Sequence, residues 1–508
     1  MEKPLQAVLA SLDGTLIQAG ARWEQWKDAA VSALVFDSRK ASFHTVFFCL
    51  AGKTSDGHAF VGSAYHSGCR FFVVEREVAL PEDAVILRVG DTRRALADGA
   101  ADFYGHPERS MRLIGLTGTK GKTTTALLIK RLLDAAAIPA GYIGTNGVLF
   151  GDCRRETVNS TPESVEIYRH LRDMLDAGVS VCVLEVSSQA LWMGRIRGLV
   201  FDTVLFTNLS RDHIGGVEHP DFQHYRACKR LLFTDYPTEA AVFHTGDHAW
   251  GFMAEGVSAP TLTFGTDGGA LWTAHNVSPA RAGGRLGVAF AVSRAGCAVG
   301  DGWFLPMPGE YNVQNALAAL CVVCERFGVS PLRAGESLAT ATVEGRFEAV
   351  THPALPDVTF IIDYAHNGVS LAAVLDALAE YRPTRLVCLF GSVGGRTKER
   401  RRDLAEAAAH RCDLCVLTAD NPGGEPAMDI IREIDSHFPE GGCPRVHEPD
   451  RREAIRMLVR QAKAGDVILL AGKGHEDYQL IGPHRVPFSE REILLEAVEE
   501  IAASAVVG

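Results

Sequence analysis

The sequence predicts an α/β protein of three domains, on three observations. Its 508 residues exceed what one core holds, since single cores stop growing near about 250–300 residues. A strand, a Gly-rich turn and a helix follow one another from Arg112 to Lys130. From about residue 346 the chain alternates apolar strands with amphipathic helices, the pattern of a parallel, doubly wound sheet.

The bulk composition narrows the partners. With 47% apolar and 22% charged residues this is an ordinary globular chain. Lys and Arg number 51 against 62 Asp and Glu, a net charge of −11, which argues against nucleic-acid binding. Phosphate ligands must then be held locally, by loops and helix ends. The start, Met1 to Ala10, lacks a basic segment leading into an apolar one, and no run approaches the roughly 18 apolar residues of a membrane span. The expected location is the cytoplasm. Twelve cysteines include two CxxC pairs, Cys321/Cys324 and Cys412/Cys415, without a second pair or histidines at zinc spacing. They are expected to be buried reduced thiols.

Residues 1–109 form a compact α/β stretch marked by Asp37-Ser38-Arg39, Gly52 and Asp56-Gly57-His58. Residues 110–345 open on the strand–turn–helix and continue with strands at Val179 to Val186 and Asp202 to Leu209. The run Gly283 to Ala298 alternates as antiparallel strands do. In residues 346–508, strands read at Val358 to Asp363, Arg385 to Phe390, Leu414 to Ala419 and Asp466 to Ala471. Helices read at Leu371 to Tyr381 and Arg400 to Ala409. Each of these four strands runs into a polar or Gly-rich cluster: DYAHN, GSVGGRTKER, DNPGGE and GKGHEDY. Ligands of such sheets bind at the carboxyl ends of the strands, so this domain is expected to bind one.

The turn Gly118-Thr119-Lys120-Gly121-Lys122-Thr123-Thr124 reads as a phosphate loop. Glycines let backbone N–H groups face a phosphate, and the following helix adds its dipole. Lys122 would sit on the β and γ phosphates, and Thr123 would reach Mg²⁺. The strict GxxxxGK[ST] spacing is not met, because Gly115 stands one residue too early. Downstream, Glu185 ends one strand and His213 follows another, so both can face the loop; a carboxylate beside phosphates is what Mg²⁺ requires.

Taken in order, GTKGKTTT (118–125), NSTPES (159–164), EVSSQAL (185–191), TNLSRDH (207–213) and GEYNVQN (309–315) resemble the Mur ligases, and their tripeptide synthetases in particular. EGRFE (344–348), DYAHN (363–367), DNPGGE (420–425) and AGKGHEDYQ (471–479) extend the resemblance over nearly the whole chain. It implies a small UDP-binding α/β domain, a central P-loop ATPase-like domain and a C-terminal Rossmann-like domain. It also implies ATP-dependent ligation of a diamino acid to UDP-N-acetylmuramoyl-L-alanyl-D-glutamate, by one chain acting on small molecules. Matched by motif, Ser38 would contact the UDP moiety, and Asn159, Ser160, Thr161, Ser187 and Arg195 the muramoyl-dipeptide. Thr123, Glu185, His213 and a CO₂-derived carbamate on Lys229 would hold Mg²⁺. The phosphate-loop residues 118–124, Asn312, Asn315, Arg346 and Asp363 would bind ATP.

The chemistry so implied is activation of a carboxylate. Lys122, Arg346 and Mg²⁺ would neutralise charge on the transferring phosphoryl group, and the acyl phosphate would then be attacked by the amine. His366 is a candidate for the amine's proton or for positioning ATP. Arg396, Asp420, Asn421, Gly472 and Glu476 would hold the amino acid. Diaminopimelate enzymes of the family carry DNPR where this chain has Gly423. Without that guanidinium a second carboxylate lacks a bidentate partner, so lysine or ornithine is expected over diaminopimelate. Gln189, Met193 and the run after His213 also depart from the family pattern. A folylpolyglutamate synthetase fits the DSR and DNP segments less well. A P-loop kinase leaves the third domain unexplained, and a non-catalytic regulator leaves the retained Lys122, Glu185 and Lys229 unexplained.

Overall fold

A computed structural model describes residues 1–508 except 20, 21, 53, 54, 213, 216, 217, 396, 397 and 508, with side chains omitted for 504–507. The chain forms two compact units, Met1–Leu271 with Ala318–Val329, and Trp272–Leu317 with Ser330–Gly508.

Among the described residues the first unit holds two main sheets, besides the short pair Lys3–Pro4 with Ala30–Val31. The smaller runs in the order Gly14–Gln18, Val85–Val89, Phe71–Val74, Thr45–Phe48, Ala33–Val35, parallel except for its first strand. The larger places Arg112–Thr117 between Val181–Glu185 and Phe201–Phe206, with Ala140–Gly144, Thr238–His244 and Thr261–Gly265 outside them, all parallel. A hairpin, Gly147–Phe150 and Cys153–Arg155, closes its edge. The central strands are apolar on both faces, as a sheet covered by helices on both sides must be. Their carboxyl ends converge on Thr117, Glu185 and Phe206, the positions from which the phosphate loop and its neighbours depart.

The second unit begins with an antiparallel run, Trp272–Ala282, Arg285–Arg294 and Cys297–Leu305. The first turn takes Gly283 and Gly284 at φ +55° and +77°, left-handed backbone that side chains with a Cβ adopt at a cost. Its main sheet runs Glu348–Val350, Thr359–Asp363, Asp466–Ala471, Arg385–Phe390, Leu414–Leu417, Arg445–His447, parallel after the first pair. Period-2 alternation divides each strand between two cores. Ile361, Cys388 and Leu469 pack with Leu371 and Leu404 on one face. Phe360, Ile362, Leu389 and Leu470 pack with Ile455 and Leu458 on the other. The four expected strands are present. Leu414–Leu417 stops two residues early, where the chain turns into Asp420-Asn421-Pro422 and proline has no amide to continue a ladder. The helix expected from Leu371 begins at Gly368, because Asn367 caps it by accepting from Ser370 N at 3.0 Å.

Two strand ends in this unit are joined by a buried ion pair. Arg451 and Glu490 are almost without exposure and meet at 2.7 Å, while the same guanidinium donates to the carbonyls of Ala419 and Ala471. Those carbonyls directly precede DNPGGE and GKGHEDY. Burial pushes the Glu490 carboxyl above its ordinary value, against the opposing pull of Arg451. Arg451→Met should therefore cost about 3–5 kcal/mol, because it strands a buried carboxylate and two carbonyls. Urea unfolding monitored by circular dichroism measures this; a loss below about 1 kcal/mol would mean that the pair contributes nothing net.

All twelve cysteines are free thiols. Cys412 and Cys415 sit in a row with Cys388 and Cys443, and Cys443 Sγ lies 3.4 Å from Cys415 Sγ. Sequence spacing showed only half of that row.

Candidate active site in the first unit and strand-end cluster in the second

The loop after Arg112–Thr117 is held by what faces it. Gly118 has φ +150°, and a Cβ there would lie 1.9 Å from Thr207 Oγ1. Thr207 Oγ1 donates to the Lys120 carbonyl at 2.8 Å, and Asn208 Nδ2 to the same carbonyl at 3.0 Å. Lys120 N donates to Asn208 Oδ1 at 2.9 Å, and Thr119 N to Asn208 O at 2.8 Å. Lys120 Nζ pairs with Asp212 at 3.0 Å. Thr119 Oγ1 lies 3.1 Å from the Tyr225 hydroxyl, and Thr123 and Thr124 are buried in the helix Lys122–Ala135. The segment TNLS thus fixes the shape of the loop, leaving the helix N-terminus to act on an anion.

Two lysines meet at this loop. Lys122 Nζ donates to the carbonyls of Gly118 and Thr119 at 2.8 and 3.1 Å, and Lys229 Nζ to Gly118 O at 2.6 Å. Lys229 comes from the helix Phe222–Thr234 and is 2% exposed. Burial, and then the like charge of Lys122, hold its ammonium well below the usual lysine range. Its neutral form is therefore favoured.

A cavity of about 150 Å³ is lined by Lys122 and Lys229, by Asn159, Ser160, Ser187 and Arg195, and by Ser188, Gln189, Glu218 and His219. Thr161 supports it from behind: its hydroxyl donates to Glu185 O at 2.8 Å and accepts from Ser187 N at 3.0 Å. Glu185 is buried. Its Oε1 accepts from the Tyr142 hydroxyl and from Thr145 N, and its Oε2 from Thr145 Oγ1 at 3.2 Å. Thr145 Oγ1 in turn touches Ser160 Oγ at 2.8 Å, linking the carboxylate to the cavity lining. Glu163 was not singled out in the sequence, yet it receives both Arg195 Nε at 2.9 Å and Arg93 Nη1 at 2.9 Å. Arg93, with Arg94, Arg197 and Trp192, lines a second and larger cavity of about 560 Å³. Ser38 opens the short 3₁₀ turn Ser38–Lys40, capped by the Asp37 carboxylate.

The residues present fit Mg²⁺. Thr123 and Glu185 offer hard oxygen donors, Glu185 Oε2 carries one long hydrogen bond that leaves lone pairs for a cation, and a carbamate on Lys229 would add a further oxygen. His213 and Arg396 lie outside the described residues.

In the second unit, Asn312 Nδ2 donates to Pro308 O at 2.7 Å, and Asn315 Nδ2 to Asn312 Oδ1 at 3.1 Å. Asp363 is buried and accepts from the amides of Phe347 and Ala365, both at 2.8 Å, so each carboxylate oxygen already holds a turn. Its carboxyl is pushed up by burial, with Arg346 opposing. Arg346 stacks over the Tyr364 ring at 4.7 Å, and His366 Nδ1 lies 2.8 Å from Tyr364 O. At the neighbouring strand ends Lys473, fully buried, donates to Asn421 Oδ1 at 3.0 Å and to Glu476 Oε2 at 2.7 Å. Asp420 Oδ1 lies 3.7 Å from the same ammonium, and Gly472 precedes it. Lys473 belongs to the quoted motif AGKGHEDYQ but was not assigned a role. Glu425 forms a two-point pair with Arg401, at 2.8 and 2.7 Å, and this guanidinium holds its carboxyl below the ordinary value. It is therefore not poised for a distal ammonium.

Comparisons with known proteins bear on the family and the fold. The Mur ligase middle domain matches residues 116–323, and the Mur ligase, glutamate ligase domain matches residues 345–474. The chain is 32% identical to the UDP-N-acetylmuramoyl-L-alanyl-D-glutamate–2,6-diaminopimelate ligase of Clostridium perfringens, over 97% of this chain and 99% of that one. It is 36% identical to the enzyme of that name from Caldanaerobacter subterraneus, over 92% and 95%. A solved structure of a ligase of that name superposes with a TM-score of 0.65 at 25% identity, over 99% of this chain and 100% of that one. These names overturn the expectation of lysine or ornithine. That expectation weighed the missing guanidinium at Gly423 alone.

Proposed function

The chain belongs to the Mur ligase family of ATP-dependent acid–amino-acid ligases, and from that premise we propose that it joins 2,6-diaminopimelate to UDP-N-acetylmuramoyl-L-alanyl-D-glutamate. The observation that carries this is the cavity in which the phosphate-loop Lys122 and the buried Lys229 face Asn159, Ser160, Ser187 and Arg195. Phosphoryl-transfer groups and groups suited to a peptide carboxylate share one wall.

The muramoyl-dipeptide lies in this cavity, its acidic end toward Arg195. The UDP end takes the larger cavity, whose Arg93, Arg94 and Arg197 suit a diphosphate and whose Trp192 offers a plane for a base. Lys122 and the amides of residues 118–124 hold the ATP phosphates. Neutral Lys229 attacks CO₂; the N–C bond forms, one proton leaves to solvent, and an anionic carbamate results. With Glu185, Thr123 and His213 it would hold Mg²⁺, which would neutralise phosphate charge. The substrate carboxylate takes the γ-phosphoryl group, with Lys122 stabilising the charge that moves. The amine of the amino acid then displaces phosphate. Asp420, Asn421, Gly472, Glu476 and Arg396 hold that amino acid, and His366 serves the amine's proton or the position of ATP. The chain works as a monomer in the cytoplasm.

Phosphate release is the test, with ATP, Mg²⁺ and UDP-MurNAc-L-Ala-D-Glu against diaminopimelate, lysine, ornithine or no amino acid. Release is expected with diaminopimelate and at background otherwise. Release that does not need the sugar nucleotide would overturn the acceptor, and release with lysine but not diaminopimelate would overturn the amino acid.

A further inference from the structure

Beside the cavity stands a group that the ligation does not use. His219, His224 and Cys228 bring one donor atom each to within 4.8 Å of one another. His224 and Cys228 are four residues apart on the helix Phe222–Thr234 and so share a face, while His219 comes from the preceding loop. The two Nδ1 atoms lie 2.8 Å apart, and Cys228 Sγ lies 3.6 Å from His224 Nδ1. His219 and Cys228 are 1% and 5% exposed, and Trp192 closes one side with ring centroids 4.9 Å from His224 and 5.8 Å from His219.

We propose that His219 Nδ1, His224 Nδ1 and Cys228 Sγ form a binding site for a zinc-class divalent ion. Tetrahedral zinc, with Zn–N near 2.0–2.1 Å and Zn–S near 2.3 Å, sets its nitrogen and sulfur donors about 3.5 Å apart and two nitrogens about 3.3 Å apart. The separation of Cys228 Sγ from His224 Nδ1, 3.6 Å, already fits, the sulfur lies within 4.8 Å of the His219 donor, and the imidazoles need to open by about half an ångström. His219 Nε2 lies 2.8 Å from Ser188 Oγ, so with the ion on Nδ1 its N–H donates to that hydroxyl. Ligating histidines commonly show such an outer hydrogen bond, which fixes the ring. One imidazole and one thiolate on a helix with a second imidazole select a borderline or soft ion and reject Mg²⁺. Binding displaces the thiol proton to solvent and leaves a fourth position for water. The site is distinct from the oxygen set proposed for Mg²⁺, but Cys228 precedes Lys229 and His219 lines the same cavity. An ion here therefore ties the loop to the helix that carries Lys229.

The test is to titrate the full chain, stripped by chelator, with Co²⁺ alone. One equivalent is expected to give the thiolate-to-cobalt band in the near ultraviolet and the visible bands of a tetrahedral ion, both bleached by Zn²⁺. Cys228→Ser and Cys228→Ala should abolish the thiolate band, and Ser188→Ala should weaken binding by about tenfold or more. Thermal melts of the apo-proteins identify any variant that does not fold, in which case the other cysteine variant decides. Absence of a thiolate band in the wild type, or its survival in both cysteine variants, would overturn the site. Neither result depends on which amino acid is ligated.

Discussion

Lys122→Ala is expected to lower turnover by about 100- to 1,000-fold, the loss that follows removal of one charged donor from a developing anion. Two separate effects add to that expectation. The ammonium lies at the phosphate loop, hydrogen-bonded to Gly118 O and Thr119 O, where it meets an arriving phosphate by exchanging one set of acceptors for another. It is also a like charge that helps keep Lys229 neutral. Without it the Lys229 pKa rises, the free amine becomes scarcer, and the carbamate forms less readily. Lys122→Arg should not restore the rate, since a planar fork does not replace a compact ammonium in a closed loop. Initial rates of phosphate release, with thermal melts to show an intact fold, decide the matter. Turnover within threefold of wild type would remove Lys122 from the chemistry.

Lys229→Ala should abolish ligation, with part of the rate returned by formate or acetate. The side chain is buried, so truncation leaves a small polar hollow beside the loop, and a short carboxylate can stand where the carbamate would. Rescue is the informative readout, because a merely structural lysine would not be replaced by an anion. Native mass spectrometry of the wild type should show the chain heavier by one CO₂. Full activity in Lys229→Ala would sink the assignment. The losses in Lys122→Ala and Lys229→Ala should not multiply in the double variant, since both residues act on one loop carbonyl and one charge balance.

What could be read in advance divides by how local the chemistry is. The phosphate loop was legible because glycines, a lysine and a helix start stand within seven residues. The four strands of the last sheet were legible because each carries enough apolar residues to show itself. Glu348–Val350 and Arg445–His447 were not, for three residues are too few to establish a period. Glu163 escaped notice because its meaning comes from Arg93, seventy residues earlier, as well as from Arg195. Lys473 sat inside a quoted motif, but only folding shows that it is fully buried between Asn421 and Glu476. The pair His224 and Cys228 is visible at helical spacing, whereas its partner His219 arrives from a loop. The amino acid was misjudged because a missing side chain at Gly423 is a local fact, while the charge balance of a pocket is not.

The contact between Gly118 and Thr207 has a consequence for how this sequence can drift. The space that a side chain at 118 would need is already filled by the Thr207 hydroxyl, which also holds the Lys120 carbonyl. The two positions, far apart in the gene, are therefore not independent letters. A larger residue at 118 requires a smaller one at 207, and a smaller one at 207 releases the loop before anything is gained at 118. Even with Thr207 shortened, a Cβ at 118 would stand at φ +150° and 3.1 Å from the backbone of Asn208, so glycine remains the residue that fits.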